Sequence, residues 1–333
     1  MKVQGITNNR NFWIAAAVIA FILILAGISR LNPGADPGPV SPSPPPEIPE
    51  EIRTGDNQEP VLNVYISETG ETRPMPFEEY IKGVVAGEMD PKWDMEALAA
   101  QAIIARSFTL QKIQEKGGIP ARNAHASTDI EEFQAYDAAS ITEQVSRAVD
   151  KTRGLVAVHN GEYIRGWFHA FAGPRTALAD EGLGFEKNPP YIQIVKSPGG
   201  DVIPPEEDPW EASFNLEEVR NAVRKSAGKD PGQIKEFEIA RKGPSGRVTQ
   251  FRANDTLVPA PEFRIALGST EMRSTLIEDM EVTGGNVVFR GTGFGHGVGM
   301  CQWGARAQAE QGRSAEEIVK YYYRNVEVVK IWD

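Results

Sequence analysis

Two successive stretches near the N-terminus decide which part of this chain can build a core. Residues 12–28 (FWIAAAVIAFILILAGI) are apolar and uncharged over 17 residues, with Lys2 and Arg10 before them and only Arg30 close after. Such a run with that flanking charge reads as one transmembrane helix with its N-terminus inside, giving a cytoplasmic tail over 1–11 and an anchor over 12–30. A cleaved signal peptide is the competing reading, but residues 27–33 (GISRLNP) offer no small-x-small cleavage site. No cysteine follows the run, which excludes a lipoprotein anchor. Residues 31–60 then hold nine prolines and few large apolar side chains. A stretch of that composition cannot bury a core and runs as a polyproline-like spacer, at roughly 3 Å per residue. The folded part is therefore expected over 61–333, on the extracytoplasmic side of the membrane.

The chain has 333 residues and a formal charge of -11, with no basic block or basic stripe interleaved with aromatics. This opposes binding driven by phosphate contacts, so nucleic acid is not an expected partner. Cys301 is the single cysteine, which rules out an internal disulfide and any site built from several thiolates. Residues 61–67 alternate as a strand, 68–71 read as a turn, and Pro76 suits the first turn of a helix running to Glu88. Residues 94–116 follow as an amphipathic helix with Asp94 as N-cap and Gly117-Gly118 at its end. A short helix over 145–152 enters a hairpin, 154–159 with 162–171, turned at Asn160-Gly161. Residues 204–209 (PPEEDP) mark the start of a secondary lobe over about 204–290, containing a helix at 216–226 and a hairpin turned at 243–246. The chain ends in a helix over 314–325 and a strand over 326–332. Helices and antiparallel strands mix without regular alternation or repeats, so the fold class is α+β, a main catalytic lobe with a smaller inserted lobe.

Within this frame Glu88 is the first candidate for chemistry. It closes Gly83-Val84-Val85-Ala86-Gly87-Glu88-Met89, an otherwise apolar run just before Asp90-Pro91 breaks the chain. Loss of water raises a carboxyl pKa toward the range of a general acid; a solvated helix-end glutamate is the plain alternative. Arg106 lies in apolar surroundings (IIARSF, 103–108) and needs an anionic or multiply accepting partner, either a structural carboxylate or a substrate group. Thr176 ends the corner Gly173-Pro174-Arg175-Thr176 after a strand, as a binding hydroxyl or a turn residue. Residues 291–305 (GTGFGHGVGMCQWGA) hold six glycines, with His296, Gln302 and Trp303 before a helix. That glycine density brings backbone close to something, but it lacks the Lys-Ser/Thr ending of a phosphate loop. His296 and Cys301 also permit a cysteine-peptidase reading, with no third orienting residue in view. His125 near Asp129, Glu131 and Glu132 matches no zinc spacing and reads as a solvated acidic loop.

Four segments, FEEYIKGVVAGEMDPKW (77–93), LAAQAIIARSF (98–108), the corner ending at Thr176, and GFGHGVGMCQWGA (293–305) followed by YYY (321–323), resemble the stage II sporulation protein D family, the SpoIID/LytB domain. The resemblance runs from about residue 76 to the C-terminus. It implies a membrane-anchored lytic transglycosylase that acts on peptidoglycan glycan strands during engulfment. Its implied partners are a sporulation amidase and a membrane protein of the same complex. Glu88 matches the catalytic glutamate, Arg106 and Thr176 match cleft positions, and His296 and Gln302 match the glycine-rich loop, all four as substrate-binding positions. No cofactor is implied. Three departures stand out: Ala99 where the sporulation proteins can have lysine, no cysteine across 125–134 and hence no expected zinc, and Gly-Pro-Arg-Thr in place of Gly-Gly-x-Thr. Ordinary glycosidases pair two carboxylates. The family chemistry needs one, because the substrate's own C6 hydroxyl closes a 1,6-anhydro ring on N-acetylmuramic acid. The second reading is a wall-binding activator of an amidase without cleavage of its own.

Overall fold

Leu62 and Val64 are fully buried while Val61 and Asn63, which alternate with them, face water, so the alternation of 61–67 becomes a strand, β1 (Val61–Ile66). It pairs antiparallel with β2 (Glu71–Pro76), in register from Val61 opposite Pro76 to Ile66 opposite Glu71. The computed structural model describes residues 44–333. The tail over 1–11, the anchor over 12–30 and the linker as far as 43 lie outside the described residues. Among the described residues no helix is long and apolar enough to cross a membrane. Residues 44–60, assigned above to the spacer, in part belong to the domain. Ile52 is 2 % exposed, and the Glu59 carboxylate accepts a hydrogen bond from Glu78 N at 2.8 Å and pairs with Arg153 at 2.5 Å. Isolated isoleucines among prolines and acids give no periodic signal, which is why the boundary at 61 is too late.

Pro76 precedes α1 (Phe77–Glu88), and α2 (Met95–Lys116) follows after a short turn. Asp94 caps α2 by accepting from Glu96 N at 2.8 Å, and Gly117 ends it at φ 68°, where a side chain would be strained. This helix was expected to bury one face. Instead Ala97 to Arg106 are buried without interruption, because alanines and isoleucines let neighbours pack on every side. It is the axis of the main lobe. β3 (Ala126–Ser127) adds parallel to β1. α3 (Glu143–Lys151), capped by Thr142, leads into β4 (Leu155–His159) and β5 (Glu162–Tyr163). Asn160 and Gly161 both take positive φ, 53° and 78°, as a two-residue hairpin turn requires. The hairpin ends at Tyr163 rather than 171. Gly166 lies against α2, where a Cβ would stand 2.6 Å from the Ile104 carbonyl, and the chain turns away to form β6 (Phe168–His169). A four-residue helix, α4 (Ala179–Gly182), follows.

The secondary lobe holds β7 (Trp210–Asn215), α5 (Leu216–Ala227), β8 (Phe237–Lys242), β9 (Val248–Ala253), β10 (Thr256–Pro259), α6 (Ala260–Leu267), β11 (Ile277–Thr283) and β12 (Asn286–Gly291). Two antiparallel sheets, ordered β10-β9-β8 and β11-β12-β7, enclose a second core in which Phe237, Phe251, Phe263 and Phe289 pack ring against ring. The chain then re-enters the main lobe through β13 (Met300–Cys301), parallel to β6, α7 (Gln302–Glu310), α8 (Ala315–Tyr322) and β14 (Glu327–Lys330), which pairs with β4. The architecture is α+β with antiparallel sheets, as expected.

Candidate active site

Glu88 is the last residue of α1. Gly83 and Gly87, four residues apart on that helix, leave room for segment 134–137 to lie against it: a Cβ on Gly83 would meet the Tyr136 ring at 2.1 Å, and one on Gly87 the Tyr136 backbone nitrogen at 2.7 Å. This close approach brings Ala135 N–H to Glu88 Oε1 at 2.7 Å, and Asp137 N bonds Gly83 O at 2.9 Å. Behind the carboxyl, Tyr80 stacks on Tyr136 at 5.8 Å and donates its hydroxyl to Ser127 O at 3.0 Å. Burial raises the Tyr80 hydroxyl well above its ordinary pKa, with the Glu88 charge adding to the shift, so Tyr80 stays neutral. Burial is likewise the main cause that pushes Glu88 up to about 7, opposed by the Ala135 N–H and by the Gln302 side chain. Gln302 Nε2 is buried without a well-aligned hydrogen bond, so its effect on Glu88 is that of a nearby amide dipole short of a formed bond. A half-buried carboxyl with a pKa near neutrality can release and recover a proton at working pH.

Of the other expected site residues, only Gln302 reaches Glu88. Arg106 is fully buried and its guanidinium grips Glu78, with NH2 2.6 Å from Oε2, while also bonding Val149 O at 2.9 Å and Thr152 Oγ1 at 3.2 Å. Glu78 lies at the opposite end of α1 from Glu88, about 15 Å away at the rise of a helix. This corrects the placement of Arg106 in the cleft: its partner is the structural carboxylate. Thr176 is also fully buried; its Oγ1 donates to Gln193 O and accepts from Val195 N, both at 2.9 Å, which pins the corner to segment 193–195. His296 accepts from Val298 N through Nδ1 at 3.0 Å and packs 5.5 Å from the His169 ring. Burial, with Arg264 and Arg247 nearby, pushes its pKa down to about 3 and keeps it neutral. The missed contributors are Ala135, through its backbone, and Tyr80. The small-residue spacing of Gly83 and Gly87 was the available signal for a chain lying on α1.

The glycine-rich loop serves as a seam. A Cβ on Gly297 would fall 2.4 Å from the Arg247 guanidinium, and one on Gly299 2.0 Å from the Trp167 carbonyl. Arg247 enters from the secondary lobe, fully buried, and donates to Ala172 O at 2.8 Å and Arg175 O at 3.2 Å, while burial pushes its pKa down to about 10. Glu181 ties the same lobe by accepting from Ser245 N and Oγ, each at 2.8 Å. Asp208 holds the other side of the seam through Thr292 and Gly293 N.

Comparison with known proteins bears on the same segments. A family model described as stage II sporulation protein matches residues 65–159, the segment carrying Glu88 and both main helices. A protein named stage II sporulation protein D from Bacillus amyloliquefaciens is 29% identical over 296 residues, covering 83% of each chain. This chain belongs to the SpoIID family. An uncharacterized protein of Brachyspira hyodysenteriae is 30% identical over 254 residues, 76% of this chain and 66% of its own length. A Bacillus subtilis protein named amidase enhancer is 27% identical over 290 residues, 73% of this chain but 39% of that protein. A second model, a domain of unknown function (DUF8618), matches residues 208–299, the secondary lobe together with the start of the glycine-rich loop.

In this SpoIID chain the departures noted above acquire physical content. Ala99 is fully buried, so a lysine absent here removes no surface contact at this position. His125 spends Nδ1 on Asn63 N at 2.9 Å, Glu132 pairs with Arg122 at 2.8 Å, and Asp129 accepts from Glu131 N at 2.9 Å. Among the described residues no three His, Cys, Asp or Glu side chains gather as metal ligands. Cys301 is fully buried, its thiol pushed up in pKa by that burial, and its sulfur caps α7 by accepting from Gly304 N at 3.3 Å. It has no histidine partner, which removes the cysteine-peptidase reading.

Proposed function

We propose that this protein cleaves peptidoglycan glycan strands as a lytic transglycosylase, on the extracytoplasmic side of the membrane in which residues 12–30 anchor it. Membership of the SpoIID family supports a role in the cell wall during sporulation. The observation that carries the enzymatic reading is the environment of Glu88: one carboxyl raised to about 7, fixed by Ala135 N–H and faced by Gln302. Because Oε1 is engaged as an acceptor, the proton of the acid form sits on Oε2. It passes to the glycosidic oxygen as the bond from C1 of N-acetylmuramic acid breaks. The carboxylate then takes the proton of the C6 hydroxyl while O6 bonds to C1, so the anhydro ring closes without consuming water. One residue returns to its starting state after each turnover.

Glycan strands stripped of stem peptides and digested with the protein should yield 1,6-anhydro ends by mass spectrometry, and Glu88→Gln should yield none. Anhydro products from Glu88→Gln would remove Glu88 as the acid; their absence from the parent would remove the enzyme. A second reading, in which the domain binds wall and stimulates an amidase, is favoured by the similarity to the protein named amidase enhancer. It requires that the parent stimulate such an amidase while producing no anhydro ends. The expected sporulation amidase and membrane-protein partners belong to this proposal.

A further inference from the structure

Trp93 and Trp303 are brought together from the two segments that meet at Glu88. Trp93 follows Glu88 through the turn closed by Trp93 N to Asp90 O at 2.9 Å, so its Cα lies within about 15 Å of that of Glu88. Trp303 is the neighbour of Gln302, the side chain that faces the carboxyl. The two indole rings meet at 4.6 Å between centroids, inclined at 52°. The Arg306 guanidinium sits over both, 5.5 Å from the Trp93 ring and 5.2 Å from the Trp303 ring, and is itself held by Glu310 at 2.8 Å. Trp303 is buried beneath this stack and its backbone N–H is anchored to Ala170 O at 3.1 Å. Trp93 remains partly exposed, yet it is immobilised at the backbone on both sides, since Gln144 Nε2 donates to its carbonyl.

A half-exposed tryptophan fixed by its backbone, an underlying ring and a cation loses little freedom when a ligand covers it. Trp93 is partly exposed, and an indole suits the C–H face of a pyranose ring better than a charged or peptide group. We propose that Trp93 is a sugar-stacking platform, a flanking subsite that holds a ring of the same glycan strand whose scissile bond lies at Glu88. Trp303 and Arg306 act through Trp93 by fixing its plane. The inference rests on the glycan-cleaving reading above and adds to it a residue that binds without taking part in the chemistry.

The test uses the full chain carrying Glu88→Gln, so that strands bind without being cut, and peptide-free glycan strands as the probe. Adding Trp93→Ala should weaken binding at least about fivefold, and Trp93→Tyr should stay within about threefold of the parent, the range expected for losing or keeping an aromatic anchor. Glycan should also change the indole emission of the parent, and most of that change should vanish in Trp93→Tyr, a signature that a purely structural Trp93 would not produce. If Trp93→Ala fails to fold, the emission comparison with Trp93→Tyr decides alone. Equal affinity of the folded Trp93→Ala protein and the parent, or an emission change undiminished in Trp93→Tyr, overturns the inference and leaves the glycan reading standing. A parent that binds no glycan overturns both.

Discussion

Replacing Arg106 with methionine tests whether this arginine holds the fold or the substrate. The side chain is fully buried and places three contacts on Glu78, with Nε at 3.1 and 3.0 Å from the two carboxylate oxygens and NH2 at 2.6 Å. Glu78 in turn accepts from Gly154 N at 3.0 Å and Trp332 Nε1 at 2.8 Å. The pair therefore joins the start of α1, the middle of α2, the entry to β4 and the segment that follows β14. Arg106→Met leaves the carboxylate buried with two N–H donors and no hydrogen-bonded countercharge, since the nearby Arg153 is paired with Glu59, and it strips the Val149 carbonyl of a donor. Removing one partner of a buried pair costs about 3–5 kcal/mol. For a domain of this size that is a fall of roughly 6–20 °C in thermal midpoint. Thermal unfolding followed by circular dichroism reads the fall directly, and anhydro-end formation per folded molecule, measured well below the midpoint, should stay near the parent value. Glu78→Gln should show the same pattern, because it strands the guanidinium instead. The reasoning fails if Arg106→Met melts with the parent and yet no longer cleaves or binds glycan, since that is the behaviour of a substrate contact.

Glu88 makes both activity and stability fall as pH rises, over adjoining pH ranges. Its pKa is raised from 4.5 to about 7, so the acid form is lost above that value and cleavage should fall about tenfold for each further pH unit; a rate flat from about pH 6 to 9 would refute the assignment. For stability the sign is that of a carboxyl the fold prefers protonated: stability is lost as pH rises from about 4.5 through about 7, so Glu88→Gln should melt above the parent at about pH 8 and with it at about pH 4. Gln302→Leu removes a group that lowers the Glu88 pKa, so the alkaline limb of the rate profile should move to higher pH; a raised KM with an unmoved limb would make Gln302 a substrate contact alone.

Local signals in the sequence were sufficient where the chain bonds to itself nearby. Asp94 and Gly117 mark the ends of α2, and Asn160-Gly161 makes the hairpin turn, because each acts through backbone geometry within a few residues. What sequence could not supply was the identity of partners distant along the chain. Arg106 demanded an anion, but that Glu78 provides it follows only once α1 lies against α2. The hairpin's second arm reads as strand to 171, yet the ladder stops where Gly166 must pass the backbone of α2. The Ala135 N–H carries no side-chain signature at all, and it reaches Glu88 only because Gly83 and Gly87 admit the chain.

The glycines, the lobes and the acid are parts of one physical problem. A carboxyl buried with no donors would stay protonated and could not act as a base; one with several would stay ionised and could not act as an acid. Here burial raises the pKa, one backbone N–H and one amide dipole restrain it, and the balance falls near neutrality. Each restraint depends on an approach of chain to chain that a Cβ would prevent. Ala135 needs Gly83 and Gly87 on α1. Gln302 needs the glycine-rich loop to thread between Trp167 and Arg247 before α7 begins, and Arg247 comes from the secondary lobe. The lobe thus acts on the carboxyl through the loop, by fixing the helix start that presents Gln302, and the two proton-transfer roles proposed for Glu88 draw on Ala135, 47 residues along the chain, and on Gln302 near its far end.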